Sequence, residues 1–171
     1  LDQSGAQRSQ LTINDMAADD TCLYVATAGG LVTYNMANGR FRSYTTADGL
    51  PHNNINFVHL DPDGQLWLGP KDSGIAMLYG SDTFDVHRLA DVPVDVAGMA
   101  CDDRGRFWLA TVNNGILCTS NDSVVSITTA DGLEKNYCYG LAKDGNGHIW
   151  VCHQPGLSCI DLANGNMRTF G

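Results

Sequence analysis

Trp67, Trp108 and Trp150 stand 41 and 42 residues apart, and a step of 43 back from Trp67 reaches another aromatic, Tyr24. The words around them agree: CLYVAT, QLWLGP, RFWLAT and HIWVCH. Gly30, Gly74, Gly115 and Gly156 follow these aromatics, each preceding Leu or Ile. Self-similarity at a period of 20 to 50 residues marks a repeat array and outranks any local reading of the chain. Four such units account for nearly all of the 171 residues.

Within one unit the local signals come in a fixed order. Residues 55–61 (INFVHLD) lead to a Pro-Asp-Gly turn, then QLWLG, a polar loop, IAMLYG, a Ser-Asp turn and TFDVHRL. Each run is short, rich in β-formers and bounded by Gly, Pro, Asp or Asn, as strands joined by hairpins are. No amphipathic helical period survives more than a few residues. Four antiparallel strands per roughly 42 residues, repeated radially, predict an all-β fold of β-propeller blades. The aromatic of each unit is expected to pack between neighbouring blades, where burying a large ring stabilises most.

The predicted layout is an N-terminal tail at 1–10 and four blades at about 11–54, 55–95, 96–136 and 137–171. Between blades, TTADGLPHN (residues 45–53) recurs almost literally as TTADGLEKN (128–136), with LADVPVD (89–95) as a diverged middle copy. The chain begins near a first strand and ends in a fourth, which leaves no strand to clasp a ring, and an array's end repeats need covering. A small four-blade ring, an open arc and two chains joined into eight blades all remain open. Association, as a homo-oligomer or with remaining blades of a longer chain, is the expectation.

Composition narrows the function classes. At 43% hydrophobic the chain resembles a soluble globular protein, and its longest apolar runs are strand-length, far short of a membrane-spanning helix. It starts LDQSGAQRSQ, without a charged region followed by an apolar one, so any targeting segment is expected to have been removed or to lie outside this chain. A net charge of −9 with only ten Lys and Arg argues against nucleic acid. Eighteen of the nineteen acidic residues are Asp, the carboxylate of tight turns; only Glu134 is Glu.

The rival chemical readings fail on spacing. The six cysteines form no C-x-x-C pair, and Cys118, Cys138, Cys152 and Cys159 occupy repeat slots that hold small apolar residues elsewhere, so they read as buried hydrophobes. Cys22, in the polar slot of Gln65, Arg106 and His148, is the one expected at the surface. DPDG and DGNG begin like calcium loops, but a Glu eleven residues on is missing, with Asp72 and Pro155 in its place. The histidines lack the pairing of a metal site or an oriented base, and no nucleophile elbow or phosphate loop appears. No catalytic residue, metal or cofactor is expected.

Binding, if present, belongs on the loops at one mouth of the central channel, because a rigid scaffold commonly carries function on its loops. Those segments hold His52, Asn53, Lys71, Asp72, Asn113, Asn114, Lys135, Asn136, Tyr137, His153 and Gln154. Amides, an aromatic and mixed charges suit a hydroxyl-rich ligand such as an oligosaccharide.

The combination of Asp-x-x-Gly, the tryptophan, the following Gly-Leu or Gly-Ile, and Asp48-Gly49-Leu50-Pro51-His52-Asn53 resembles the two-component regulator propeller repeat. Thr27 and Thr111 match the threonine that usually follows the tryptophan strand, whereas Pro70 and His153 depart from it, and Tyr24 replaces the tryptophan of the first unit. The resemblance spans residues 11–170. It implies a non-catalytic periplasmic or extracellular sensor region of a hybrid two-component system of Bacteroidetes, detecting glycan breakdown products. Two alternatives come from other classes: a protein-interaction scaffold, and a lyase-type propeller enzyme, which would need a histidine such as His153 to meet a carboxylate at the channel mouth.

Overall fold

The computed structural model describes residues 12–79, 83–87, 94–120 and 123–171. The expected tail and most of the LADVPVD copy lie outside them. Among the described residues, sixteen strands make four separate four-stranded sheets, each antiparallel and ordered as in the sequence. Blade 1 is β1 (Ile13–Ala18), β2 (Cys22–Thr27), β3 (Gly30–Asn35) and β4 (Arg40–Tyr44). Blade 2 is β5 (Ile55–Leu60), β6 (Leu66–Pro70), β7 (Ile75–Tyr79) and β8 (Thr83–His87). Blade 3 is β9 (Val96–Cys101), β10 (Phe107–Thr111), β11 (Ile116–Ser120) and β12 (Ser123–Ile127). Blade 4 is β13 (Cys138–Lys143), β14 (His148–His153), β15 (Gly156–Asp161) and β16 (Met167–Phe170).

The first strands lie innermost: β1 packs against β5, β5 against β9 and β9 against β13. No comparable packing joins β1 to β13 among the described residues, so the four sheets form an arc rather than a closed ring. The apolar core is therefore divided into three seams between blades. On β6, Leu66 and Leu68 join Ala26 and Leu31 of blade 1, while Trp67 turns the other way onto Val96 and Leu109 of blade 3. Ile149, Val151 and Ile160 of blade 4 meet Trp108 and Ala110 of blade 3 in the same manner. Because both faces of an inner blade are covered, its second strand reads as a continuous apolar run rather than an alternating one.

The end blades show what happens without a neighbour. Trp67 and Trp108 are 6% and 4% exposed, but Trp150 is only half-buried, and Phe170, whose ring lies 5.7 Å from its indole, is 49% exposed. At the other end, Leu23 and Val25 stand in the slots of Leu66 and Leu68 yet are only half-buried, and Phe41 is exposed.

Each turn between first and second strand is held by its aspartate. Asp61 Oδ1 accepts the backbone N–H groups of Asp63 and Gln65 at 3.0 and 2.9 Å. Asp102 does the same for Arg104 and Arg106, and Asp144 for Asn146 and His148. The other oxygen of each takes the indole N–H of the tryptophan six residues on, at 2.9, 2.9 and 3.0 Å. Blade 1 keeps the device in shortened form: Asp19 accepts the N–H groups of Thr21 and Cys22, and the Tyr24 hydroxyl at 2.8 Å.

The repeat glycine has a steric cause. A Cβ on Gly115 would lie 2.3 Å from the Ile127 carbonyl oxygen, and φ there is +70°. The near-literal repeats are short 3-10 turns, Thr46–Asp48 and Thr129–Asp131, each closed by a threonine-aspartate capping box. They deliver Leu50 into the seam between blades 1 and 2 and Leu133 into that between blades 3 and 4, at 3% and 2% exposed. All six thiols are free. Cys118, Cys138 and Cys159 are buried as expected; Cys152, also expected to be buried, is only half-buried, as are Cys101 and Cys22, the one expected at the surface.

Candidate functional site

The channel is built from the inner strands, beginning with two asparagines 42 residues apart, Asn14 and Asn56. Asn14 Nδ2 donates to the Ile55 carbonyl at 2.7 Å and to Asn54 Oδ1 at 3.1 Å. Asn56 Nδ2 repeats this one blade on, to the Val96 carbonyl at 3.0 Å and to Asp95 Oδ1. Each asparagine thus straps its blade to the next at the axis. Asp15 adds a third link, Oδ2 accepting the Val58 N–H at 3.1 Å. In the same slot blade 3 has Ala97 and blade 4 has Tyr139.

All four inner strands line a cavity of about 310 Å³ that includes Asn14, Asp15, Asn56, His59 and Tyr139. Tyr139 is 51% exposed and donates its hydroxyl hydrogen to the His153 carbonyl at 3.2 Å. Tyr137, equally exposed, lies beside it with ring centroids 6.2 Å apart. A second cavity of about 500 Å³ continues past His59 toward Asp61, Cys101 and Lys143. Lys143 is paired there with Asp103 at 2.9 Å. Burial pushes the His59 imidazole below its ordinary pKa, against the opposing pull of Asp61 and Asp15, so the ring is held toward its neutral form.

The loops singled out from the sequence adjoin the start of the inner strands. The Lys71 N–H reaches the Asn54 carbonyl at 2.9 Å, and the Val112 N–H reaches that of Asp95 at 3.0 Å. Lys71, Asp72, Asn113, Asn114, Lys135, His52 and Gln154 are exposed there. Asn53 and Asn136 carry a structural load instead: their side-chain oxygens accept the Thr46 and Thr129 N–H groups at 2.7 and 2.9 Å, anchoring the two 3-10 turns. None of the eleven lines either channel cavity.

His153 is fully buried, its Nε2 2.8 Å from Ser158 Oγ, while Nδ1 has no partner among the described residues. It stands where Thr27 and Thr111 clasp their hairpins through Gly30 and Gly115. It therefore does not reach the channel mouth that a catalytic part would require.

Asn14, Asp15, Asn56, His59 and Tyr139 were not singled out from the sequence. A signal was available: Ile13-Asn14 and Ile55-Asn56 repeat a polar residue inside an inner strand, where a purely structural repeat would place an apolar one.

Sheets radiating from a common axis, with inner strands around a channel, define this chain as a β-propeller segment. More particularly, residues 49–72 match the two component regulator propeller family, so the chain contains a repeat of that kind. No curated protein matches it in sequence. Among solved structures it is similar to a catalytically inactive virginiamycin B lyase from Staphylococcus aureus with quinupristin, at 14% identity and a TM-score of 0.78. That match covers 96% of this chain and 57% of the lyase. The extracellular domain of a hybrid two component system from B. thetaiotaomicron is 18% identical, with a TM-score of 0.59, over 94% of this chain and 28% of that one. The computationally designed Ika4 protein matches at 12% identity and a TM-score of 0.62, over 96% of this chain and 93% of its own. The chain thus spans a little over half of the lyase and under a third of the extracellular domain. Among the described residues no helix is long and apolar enough to cross a membrane.

Proposed function

We propose that this chain is a non-catalytic sensory segment of a two-component-type signalling protein, outside the cytoplasm, that recognises a glycan-derived ligand at its channel. The observation that carries this reading is Tyr139, half-exposed in the channel cavity that Asn14 and Asn56 also line, with the equally exposed Tyr137 beside its ring. Flat rings flanked by amide groups are the chemistry by which proteins hold sugars, whose faces are apolar and whose rims are hydroxyl. Lys71, Asn113, Asn114 and Gln154, exposed on the surrounding loops, would extend contact to a longer oligosaccharide. The similarity to an extracellular two-component domain supports the signalling role, and the burial of His153 weighs against the histidine that the enzyme reading named. A calorimetric screen of oligosaccharides tests the proposal. Heat of binding lost in Tyr139→Ala supports it, while a flat screen together with capture of a protein partner favours the scaffold reading.

The end faces favour association as well. The half-buried Trp150 face of blade 4 and the Leu23 and Val25 face of blade 1 are the two halves of the seam seen three times inside the chain. We propose that another copy, or further blades of a longer chain, covers them. Light scattering that returns a strict monomer, with Trp150 still accessible to quenchers, would remove the copy as the cover.

A further inference from the structure

The upper half of the channel also carries information about the charge of what it holds. Both hydrogens of the Asn14 side-chain amide are engaged, and so are those of Asn56, which leaves their Oδ1 atoms as acceptors. The Tyr139 hydroxyl spends its hydrogen on the His153 carbonyl. Asp15 accepts the Met16 and Val58 N–H groups and pairs with no cation among the described residues. Lys143 belongs to the other half of the channel and is already paired. His59 in the same lining keeps one ring N–H donor, so the polar side chains there offer acceptors in excess, and the Asp15 carboxylate has no paired cation among the described residues. Gly140, next in the chain to Tyr139 and also in the cavity lining, leaves open space, since a Cβ built on it meets nothing within 4 Å.

Resting on the sugar reading above, we infer that this half of the channel takes an uncharged, hydroxyl-rich saccharide end stacked on Tyr139, and rejects uronic and sulfated sugars. Hydroxyl groups of a neutral sugar donate into the free oxygens of Asn14, Asn56 and Asp15. A carboxylate or sulfate would set acceptor against acceptor and negative charge against Asp15, a repulsion that low local dielectric enlarges.

The test titrates the whole chain with neutral tetrasaccharides (cellotetraose, maltotetraose and xylotetraose) and with tetragalacturonate and a sulfated heparin disaccharide, by calorimetry. The expected result is a neutral sugar bound about tenfold or more tighter than any acidic one. Tyr139→Phe retains that binding and Tyr139→Ala abolishes it, both with unchanged circular dichroism. Asp15→Asn narrows the gap by admitting the acidic sugars. Acidic sugars bound as tightly as neutral ones, or neutral binding that survives Tyr139→Ala, would overturn this assignment and leave the sugar-sensor reading standing. Silence from every sugar of both classes takes both down.

Discussion

Asp102 and Trp108 are joined by a 2.9 Å hydrogen bond from the indole N–H to the carboxylate, although six residues separate them and a strand reversal lies between. The same carboxylate takes the Arg106 guanidinium at 2.7 Å, and that guanidinium lies 5.3 Å from the centre of the indole. Turn, indole and cation are thus one assembly, and Asp61 and Asp144 repeat its turn and indole bonds in the flanking blades. The device couples a local event, chain reversal, to a distant one, because the indole it orients is the wedge between blades.

Asp102→Ala should be strongly destabilising. It strands two backbone N–H groups, an indole N–H and a buried part of Arg106, for an expected loss of about 2–4 kcal/mol. Urea unfolding measures this, and a loss below about 1 kcal/mol would mean that the turn holds without its clasp.

Acid should weaken the fold through these same carboxylates. The Thr21 backbone hydrogen bond, with others from Cys22 and Tyr24, outweighs desolvation and lowers Asp19 to about 2. Burial opposes ionisation of Asp102, but bonds from Trp108, Arg106 and Arg104 outweigh it and hold the group below its ordinary value. The Trp150 indole and the His148 N–H hold Asp144 well below the carboxylate range. A carboxyl depressed in the folded state contributes its full stability above the ordinary value of 3.8, and loses it as pH falls toward the folded value. The urea midpoint should therefore be level above about pH 5 and fall steeply between about pH 4 and 2. A midpoint unchanged at pH 2.5 contradicts this.

Trp108→Ala and Trp150→Ala should differ although their repeat slots are identical. The first removes a ring sealed between two blades and should cost about 3–5 kcal/mol; the second removes one from an uncovered face and should cost less than half of that in the isolated chain. Covering the blade 4 face should bring the two costs together. Equal losses in a verified monomer would show that the end face is not open.

Gly115→Ala and Gly64→Ala separate close approach from backbone strain. Both glycines have positive φ, +70° and +78°, but only at Gly115 would the added methyl meet a carbonyl oxygen; at Gly64 nothing lies within 4 Å. Gly64→Ala should cost about 1 kcal/mol from strain alone, and Gly115→Ala at least twice that. Thermal unfolding of the two variants side by side decides it.

Much of this molecule was legible in the sequence because propeller blades are built from near neighbours. Trp67 and Trp108 are interblade wedges, as their spacing predicted, and Gly115 is a glycine because its slot abuts the end of the next strand. The turn aspartates were also legible as turn formers, but not as indole acceptors. Periodicity says that two residues recur together, and only the strand pairing brings Nε1 onto Oδ2. Thr45 and Thr128 head capping boxes whose copies stand out in the sequence, though nothing local declared that Asn53 and Asn136 were already engaged in anchoring them.

The channel was harder to see. Asn14, Asn56 and Tyr139 share a slot, but a slot carries no sign of facing the axis, and His153, placed among the loop residues by its position, is buried against Ser158 of its own blade.

The amino-acid sequence alone determined the four-strand unit, its period, and the rings and glycines that each unit needs, since these follow from contacts a few residues apart or from a slot repeated in every blade. Only the tertiary structure decided which side chains converge on the axis, and that Trp150 meets no further blade among the described residues. Those outcomes depend on how one sheet is angled on the next, and a side chain is buried only when a partner surface, distant in the chain, is there to exclude water.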